Sequence, residues 1–215
     1  MENIREIQHL LGEAWASVKF YFSGAAAPDI KMGTDLRFCE ALTKARSCPL
    51  LLNPGSISCP GANYVFGWKR NGASRGTILD ELMKRRGLGR TAAGKLISQV
   101  PVFEQSPVAI GLNTDEVPDM IISYCQPPTI MKFLKLWQTV FDGYNLMSSL
   151  SSVLSVCGNV AAGCHHSGDV VLSFGCDDSR EFGDIGRDRL VLGLPYHLIK
   201  KLLAQGKKAQ SLEVS

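Results

Sequence analysis

The residues of this chain best suited to chemistry are its seven cysteines. They lie at positions 39, 48, 59, 125, 157, 164 and 176. Thiolates bind zinc and iron, and an activated thiolate is also a nucleophile. Free cysteine is at the same time among the most buried residue types, so packing is the alternative role of each thiol. An odd number in a chain without an export signal favours reduced thiols over a disulfide framework.

A local zinc site is one interpretation of the segment from Cys157 to Cys176. Between these two cysteines the segment also contains Cys164, His165 and His166. Zinc ribbons pair their cysteines two to four residues apart, and this segment has no such pair. The sequence therefore does not favour a local zinc site, and we expect the two histidines on an exposed turn.

Cysteines that are distant in sequence form the other candidate metal site. Cys59 precedes a proline, and Cys176 follows a glycine after a predicted strand. A cysteine in such a setting is exposed to a pocket, where backbone amides can stabilise its thiolate. Iron–sulfur clusters commonly take four cysteine thiolates, usually with two or three of them close in sequence. A site built from Cys39, Cys59, Cys157 and Cys176 therefore requires the fold to bring them together.

A phosphate-binding loop is suggested by the stretch from Gly89 to Lys95, which has glycine, four residues, glycine and lysine. Such a loop needs a buried strand before it and a serine or threonine after it. Here a basic amphipathic helix precedes the loop and Leu96 follows it. We therefore expect a turn between two helices at this place.

Seven basic residues and two acidic residues lie between positions 69 and 90, in a chain whose net charge is only +3. Such a surplus of positive charge can bind nucleic acid, an acidic partner or a phosphorylated ligand. No aromatic residue that could stack on a base lies between positions 77 and 90, and no nucleic-acid motif accompanies the charges. We expect a solvated helix face and no nucleic-acid partner.

The elements that must position these residues follow from the apolar pattern. Helical spacing is present at 3–16, 38–46, 77–86, 92–100, 130–141 and 198–203, and strand-like runs lie at 18–22, 49–52, 107–112, 120–124, 169–174 and 189–194. These elements predict an α/β or α+β architecture, with a mixed β-sheet flanked by helices. We expect a single compact domain over residues 1–215, with a core at about 18–203 and a polar tail at 206–215.

Composition and hydropathy exclude several classes of protein. Hydrophobic residues make up 45% and charged residues 20% of the chain, which is typical of a globular protein and not of a disordered one. The longest apolar stretches are strand-sized, so no membrane span is expected. The first residues are acidic and amphipathic, unlike a secretory signal, so we expect a cytoplasmic protein.

Five motifs of the chain resemble, in their order and context, a prokaryotic family, domain of unknown function 169. They run from Phe38 to Arg46, from Ile57 to Ala62 with Gly67, over Val156 and Cys157, from Phe174 to Arg180, and from Leu190 to Pro195 with the following helix. The resemblance covers about residues 18–203 and implies a cytoplasmic protein of a family without a settled activity. It places Cys39, Cys59, Cys157 and Cys176 on motif positions. It thereby favours the separated cysteines over the local zinc site.

The leading functional hypothesis is a metal centre, an iron–sulfur cluster, held by these four cysteines for redox chemistry or cofactor handling. An alternative is a metal-free protein that binds an anionic small molecule, because glycine lets a backbone approach a ligand closely and arginine binds anions. The residues of that alternative pocket are Gly61, Gly175, Ser179 and Arg180. The corresponding partners are a redox partner or a small-molecule ligand.

A cysteine hydrolase or transferase is the third hypothesis, with Cys59 or Cys176 as the nucleophile and a histidine as the base. The four histidines of the chain show no known nucleophile–base signature. The sequence therefore favours this enzyme class least.

Overall fold

Six strands form one antiparallel sheet. The computed structural model describes residues 6, 11–12, 15–23, 29–68, 74–144, 146 and 151–212, with 205–212 as backbone only. The strands are β1 (Trp15–Tyr21), β2 (Leu50–Leu52), β3 (Ala109–Leu112), β4 (Met120–Cys125), β5 (Val171–Ser173) and β6 (Leu190–Pro195). Their order across the sheet is β2-β3-β1-β4-β6-β5, and each neighbouring pair is antiparallel. In the described part of the chain, parallel pairing is limited to two isolated bridges.

Helices form most of the connections between these strands. The described ones are α1 (Phe38–Ala45), α2 (Pro60–Val65), α3 (Arg75–Arg86), α4 (Arg90–Ser98), α5 (Pro127–Val140), a π-helix (Ser155–Ala162), α6 (Gly163–Ser167), α7 (Asp177–Phe182) and α8 (Tyr196–Leu212). Both α2 and α5 begin with a proline, whose missing amide hydrogen costs least at that position. None of the described helices is both long and apolar enough to cross a bilayer.

The sheet has a hydrophobic core on each of its two faces. Along β4, Ile121 and Cys125 belong to one core, while Ile122 and Tyr124 belong to the other, as the alternation of a strand requires. Helices α5 and α8 pack on the first face. Helices α1, α2 and α3 and the π-helix contribute to the core on the second face. The second face is the one that carries the candidate cysteines.

The predicted fold class is confirmed, because a single sheet packs between helices, but all neighbouring strands are antiparallel where a mixed sheet was expected. The helix predicted at 3–16 lies mostly outside the described residues, and its last part is strand: Trp15 pairs with Ser123 of β4. Pairing with a neighbouring strand overrides helical spacing there. In the predicted polar tail, α8 continues to Leu212, and residues 213–215 lie outside the described part.

The π-helix is one of four helices that the apolar pattern did not predict, together with α2, α6 and α7. All eight of its residues are buried. Its small residues allow close packing: a Cβ added at Gly158 would lie 2.4 Å from a methyl carbon of Val100. Gly193 of β6 approaches the same helix closely, since its Cβ would lie 2.7 Å from Val160 Cγ1. Such helices occur frequently at functional sites.

Candidate functional site

The four separated cysteines lie around one cavity. Cys39 is the second residue of α1, Cys59 and Cys176 directly precede α2 and α7, and Cys157 lies in the π-helix. All four line the cavity, with Phe38, Ala62, Leu154, Val156, Asp178 and Ser179 as its other walls. The cavity encloses about 30 Å³, which is space for about two water molecules. The fold therefore brings together the four cysteines that the sequence analysis selected.

Cys59 is fixed by the start of α2. Asn63, which is fully buried, donates hydrogen bonds from Nδ2 to the backbone oxygens of Ile57 and Cys59, at 3.0 and 3.1 Å. Pro60 restricts the backbone directly after the cysteine. These constraints hold the Cys59 thiol at the wall of the cavity.

Cys176 lies on a turn that its neighbours define. Gly175 has a φ of +80°, a conformation that favours glycine. The Ser179 hydroxyl accepts a hydrogen bond from the Cys176 amide at 2.8 Å and donates one to the Cys176 carbonyl at 2.7 Å. The Gly175 amide donates to the hydroxyl of Ser173, at the end of β5, at 3.2 Å. The turn thus joins the strand end to α7 with the cysteine at its tip.

Arg180 is occupied by the backbone of this region. Its guanidinium donates hydrogen bonds to the carbonyl oxygens of Gly186 at 2.7 Å, Phe174 at 2.5 Å and Arg189 at 3.2 Å. Of the residues in the alternative pocket, Ser179 lines the thiol cavity and Gly61 lines a neighbouring cleft. Gly175 and Arg180 line neither of these spaces. The structure therefore does not assemble these four residues around one cavity.

The π-helix that carries Cys157 begins with an unusual backbone conformation. Leu154 has positive φ, 47°, which costs an L-residue roughly 1–2 kcal/mol. Its carbonyl accepts hydrogen bonds from the amides of Gly158 at 2.7 Å and Asn159 at 3.3 Å. Its side chain lies over Gly61, where an added Cβ would be only 2.2 Å from Leu154 Cδ2. Glycine at position 61 thus lets Leu154 cover the cavity.

The buried thiols are protonated in the metal-free protein. Burial, strengthened by the neighbouring thiols of Cys176 and Cys59, raises the pKa of Cys39 to about 12. Burial also raises the pKa of Cys59, although hydrogen bonds from the backbone amides of Ala62 and Gly61 act to lower it. The pKa of Cys157 lies well above its usual value, chiefly because of burial and then because of the other three thiols. These groups bind metal only after losing their protons.

A second, basic cleft of about 80 Å³ adjoins the thiol cavity. Cys59, Leu154, Cys176 and Asp178 line both spaces. The carboxylate of Asp178 accepts hydrogen bonds from Arg37 at 2.7 Å and from Arg85 at 2.5 Å, one on each oxygen. Arg86 lies in the same cleft and pairs with Asp177 at 2.9 Å.

No sequence pattern indicated that Leu154 or Arg37 belongs to this site. The basic run of residues 69–90 predicts a solvated helix face, whereas Arg85 and Arg86 of this run turn toward the acidic first turn of α7. These ion pairs join residues more than ninety positions apart. No local pattern could have indicated them.

No group of three or more histidine, cysteine or acidic residues among the described positions, the four cavity cysteines included, is arranged to hold a metal ion. The local zinc site between Cys157 and Cys176 is thus not formed. His165 instead stacks on Phe103, with 4.9 Å between ring centroids. Burial lowers the pKa of His165.

The structure also decides two further hypotheses, the phosphate-binding loop and the cysteine nucleophile with a histidine base. The stretch from Gly89 to Lys95 forms the start of α4 after helix α3, so the predicted turn between helices is confirmed and the strand of a nucleotide loop is missing there. No histidine is among the described residues that line the thiol cavity, and His9 lies outside the described part of the chain. A thiol–imidazole pair therefore has no support at the cavity.

Comparison with known proteins gives a family but no activity. A model of domain of unknown function 169, described as uncharacterised ArCR, matches residues 15–205. An uncharacterised protein of Methanocaldococcus jannaschii is 23% identical over 217 residues, which cover 94% of this chain and 91% of the relative. No solved structure matches the chain. The matched range of the family model includes all four cysteines of the cavity.

Proposed function

The chain belongs to the family of domain of unknown function 169, and we propose that it holds an iron–sulfur cluster for redox chemistry or cofactor handling. The observation that carries this proposal is the single cavity lined by Cys39, Cys59, Cys157 and Cys176. Four cysteine thiolates are the usual ligand set of such clusters. When bound, a cluster of this kind supplies one-electron transfer.

We propose a four-iron cluster rather than a single metal ion. A single zinc or iron ion needs ligands that converge on one point, and the described residues form no such group. A four-iron cluster would be held by all four cysteines, whose thiolates would supply its complete protein ligand set. The cavity of about 30 Å³ is smaller than such a group. Binding of a cluster therefore requires residues that line the cavity, Leu154 among them, to move outward.

The chain supplies hydrogen bonds and a dry surrounding for the thiolates. Backbone amides of Ala62 and Gly61 stabilise the Cys59 thiolate, and the amide of Gly158 stabilises that of Cys157. Cys157 itself is 8% exposed. Hydrogen bonds to the sulfur atoms and exclusion of solvent both tune the reduction potential of a cluster. The site thus offers ligands together with the groups that adjust them.

We place this function in the cytoplasm and in a single domain. All seven cysteines are free, which suits a reducing compartment. The family match spans residues 15–205 without interruption, as expected for one domain. The proposed partner is a redox protein that exchanges electrons with the cluster.

Iron and acid-labile sulfide content of protein purified without oxygen tests the proposal. We expect near-stoichiometric iron and sulfide in the wild type and their loss in Cys59→Ser. The control is Cys125→Ser, because Cys125 is also a free cysteine but belongs to the core on the opposite face of the sheet. Full metal retention in Cys59→Ser, or a wild type that stays metal-free after anaerobic reconstitution, would refute the proposal. The second result would favour the metal-free ligand-binding alternative.

A further inference from the structure

The basic cleft beside the thiol cavity has the features of a ligand site of its own. Its volume of about 80 Å³ is enough for several water molecules. Ile78 and Leu82 of α3 give it an apolar floor, and Arg37, Arg85 and Arg86 give it a basic wall. An apolar pocket with a few converging polar groups is the usual form of a small-molecule site.

Arg86 is held in place before any ligand arrives. Its Nη1 donates to the Ser152 hydroxyl at 2.7 Å, and its Nη2 donates to the Ser152 carbonyl at 2.9 Å. The side chain of Arg86 is 26% exposed, whereas its carboxylate partner Asp177 is 82% exposed. An ion pair with so exposed a partner contributes little free energy. Asp177 is therefore an easily replaced counter-ion on a fixed guanidinium.

The positive charges of Arg37 and Arg85 are only partly neutralised by Asp178. Asp178 has one carboxylate, and both of its oxygens are occupied, one by Arg37 and one by Arg85. The three side chains together carry a net charge of +1. Within the described residues, Arg85 uses one of its five N–H groups in this contact. The remaining donors of Arg85 can bind another acceptor.

The acidic residues that line the cleft do not cancel the attraction of its arginines for anions. The cleft is lined by three arginines and three acidic residues, so its formal charge is zero. Asp177, Glu81 and Arg85 are exposed to solvent, whereas Asp178, Arg37 and Arg86 are more enclosed, with 28%, 23% and 26% of their side chains exposed. Water and salt screen exposed charges far more than enclosed ones. The enclosed part of the cleft is therefore positive.

We infer that this cleft binds a small carboxylate or phosphate, which replaces Asp177 on Arg86 and accepts hydrogen bonds from Arg85. Guanidinium groups bind both kinds of anion with paired hydrogen bonds. Cys59 and Cys176 line the same cleft. This site goes beyond the proposed function, because it does not require a metal centre.

Calorimetric titration of the full chain with malonate and, separately, with inorganic phosphate at constant ionic strength tests the inference. We expect saturable binding of at least one probe by the wild type, and the stronger probe identifies the preferred anion. Arg86→Gln should weaken binding by about tenfold or more, as expected for the loss of a charged hydrogen-bond donor. Arg75→Gln is the matched control, since Arg75 is an exposed arginine at the other end of α3, outside the cleft.

Asp177→Asn should change anion binding in the opposite direction to Arg86→Gln, and this substitution carries little risk of misfolding. Removing the competing carboxylate should tighten anion binding by about threefold. Non-saturable heat, equal weakening by Arg75→Gln, or unchanged or weaker binding by Asp177→Asn would each overturn the inference. Iron and sulfide are measured on the same samples. A metal-free protein that still binds the anion would refute the proposed cluster and retain this site.

Discussion

Raising the pH of the metal-free protein should destabilise it through Cys39. The pKa of this thiol is about 12 in the folded chain, mainly because of burial, against an ordinary value of 9.0. Above the ordinary value the unfolded chain loses the proton while the folded chain keeps it. The stabilising effect of the buried thiol is therefore complete below pH 9.0 and is lost as the pH rises toward 12.

The size of this effect follows from the difference between the two pKa values. Each unit of separation corresponds to about 1.4 kcal/mol, so one unit above the unfolded pKa, near pH 10, the loss is roughly 1 kcal/mol. The folded thiol hardly titrates at that pH. The three units between the two pKa values correspond to roughly 4 kcal/mol in all, so about a third of the effect is measurable at pH 10.

Urea unfolding of wild type and Cys39→Ala, both metal-free and reduced, measures this loss. The free energy of unfolding is compared at about pH 8 and about pH 10 in each protein. The other buried thiols contribute to both proteins, so the wild type should lose roughly 1 kcal/mol more than the variant between the two pH values. An equal loss in both proteins would refute the account of Cys39 as a buried, neutral thiol.

Two further predictions concern the elements that position the site, and urea unfolding measures both. Arg180→Gln should lower the free energy of unfolding by about 2 kcal/mol, because three backbone carbonyls lose a charged donor; an unchanged stability would contradict that role. Gly193→Ala should cost about 1–3 kcal/mol, because the added Cβ would lie 2.7 Å from Val160. Gly94→Ala should instead stabilise α4 by about 1 kcal/mol, since no atom lies within 4 Å of its added Cβ; equal effects of the two glycine substitutions would contradict the packing of the π-helix on the sheet.

The sequence was informative wherever the signal is local. Apolar periodicity predicted the strands β3 to β6 and the long helices α5 and α8, whereas the π-helix and the short helices α6 and α7 carried no such signal. The neighbours of Cys59 and Cys176 indicated cysteines at the ends of elements, and both directly precede a helix. The family motifs then selected the four cysteines that share a cavity.

The remaining features depend on contacts between distant parts of the chain. The order of the strands, the cover that Leu154 forms over Gly61, and the ion pairs of Arg85 and Arg86 all join residues far apart in sequence. Arg180 shows the limit of composition alone. Its type suggested an anion ligand, whereas three carbonyls in the fold take up its guanidinium.

The central claim is that four thiolates of this chain hold an iron–sulfur cluster. Native mass spectrometry of the full chain, reconstituted without oxygen, tests it most directly. The account predicts one adduct that contains iron and sulfide in equal numbers and has lost the protons of the ligating thiols. The mass of the unmodified chain alone, or an adduct of iron without sulfide, would contradict it.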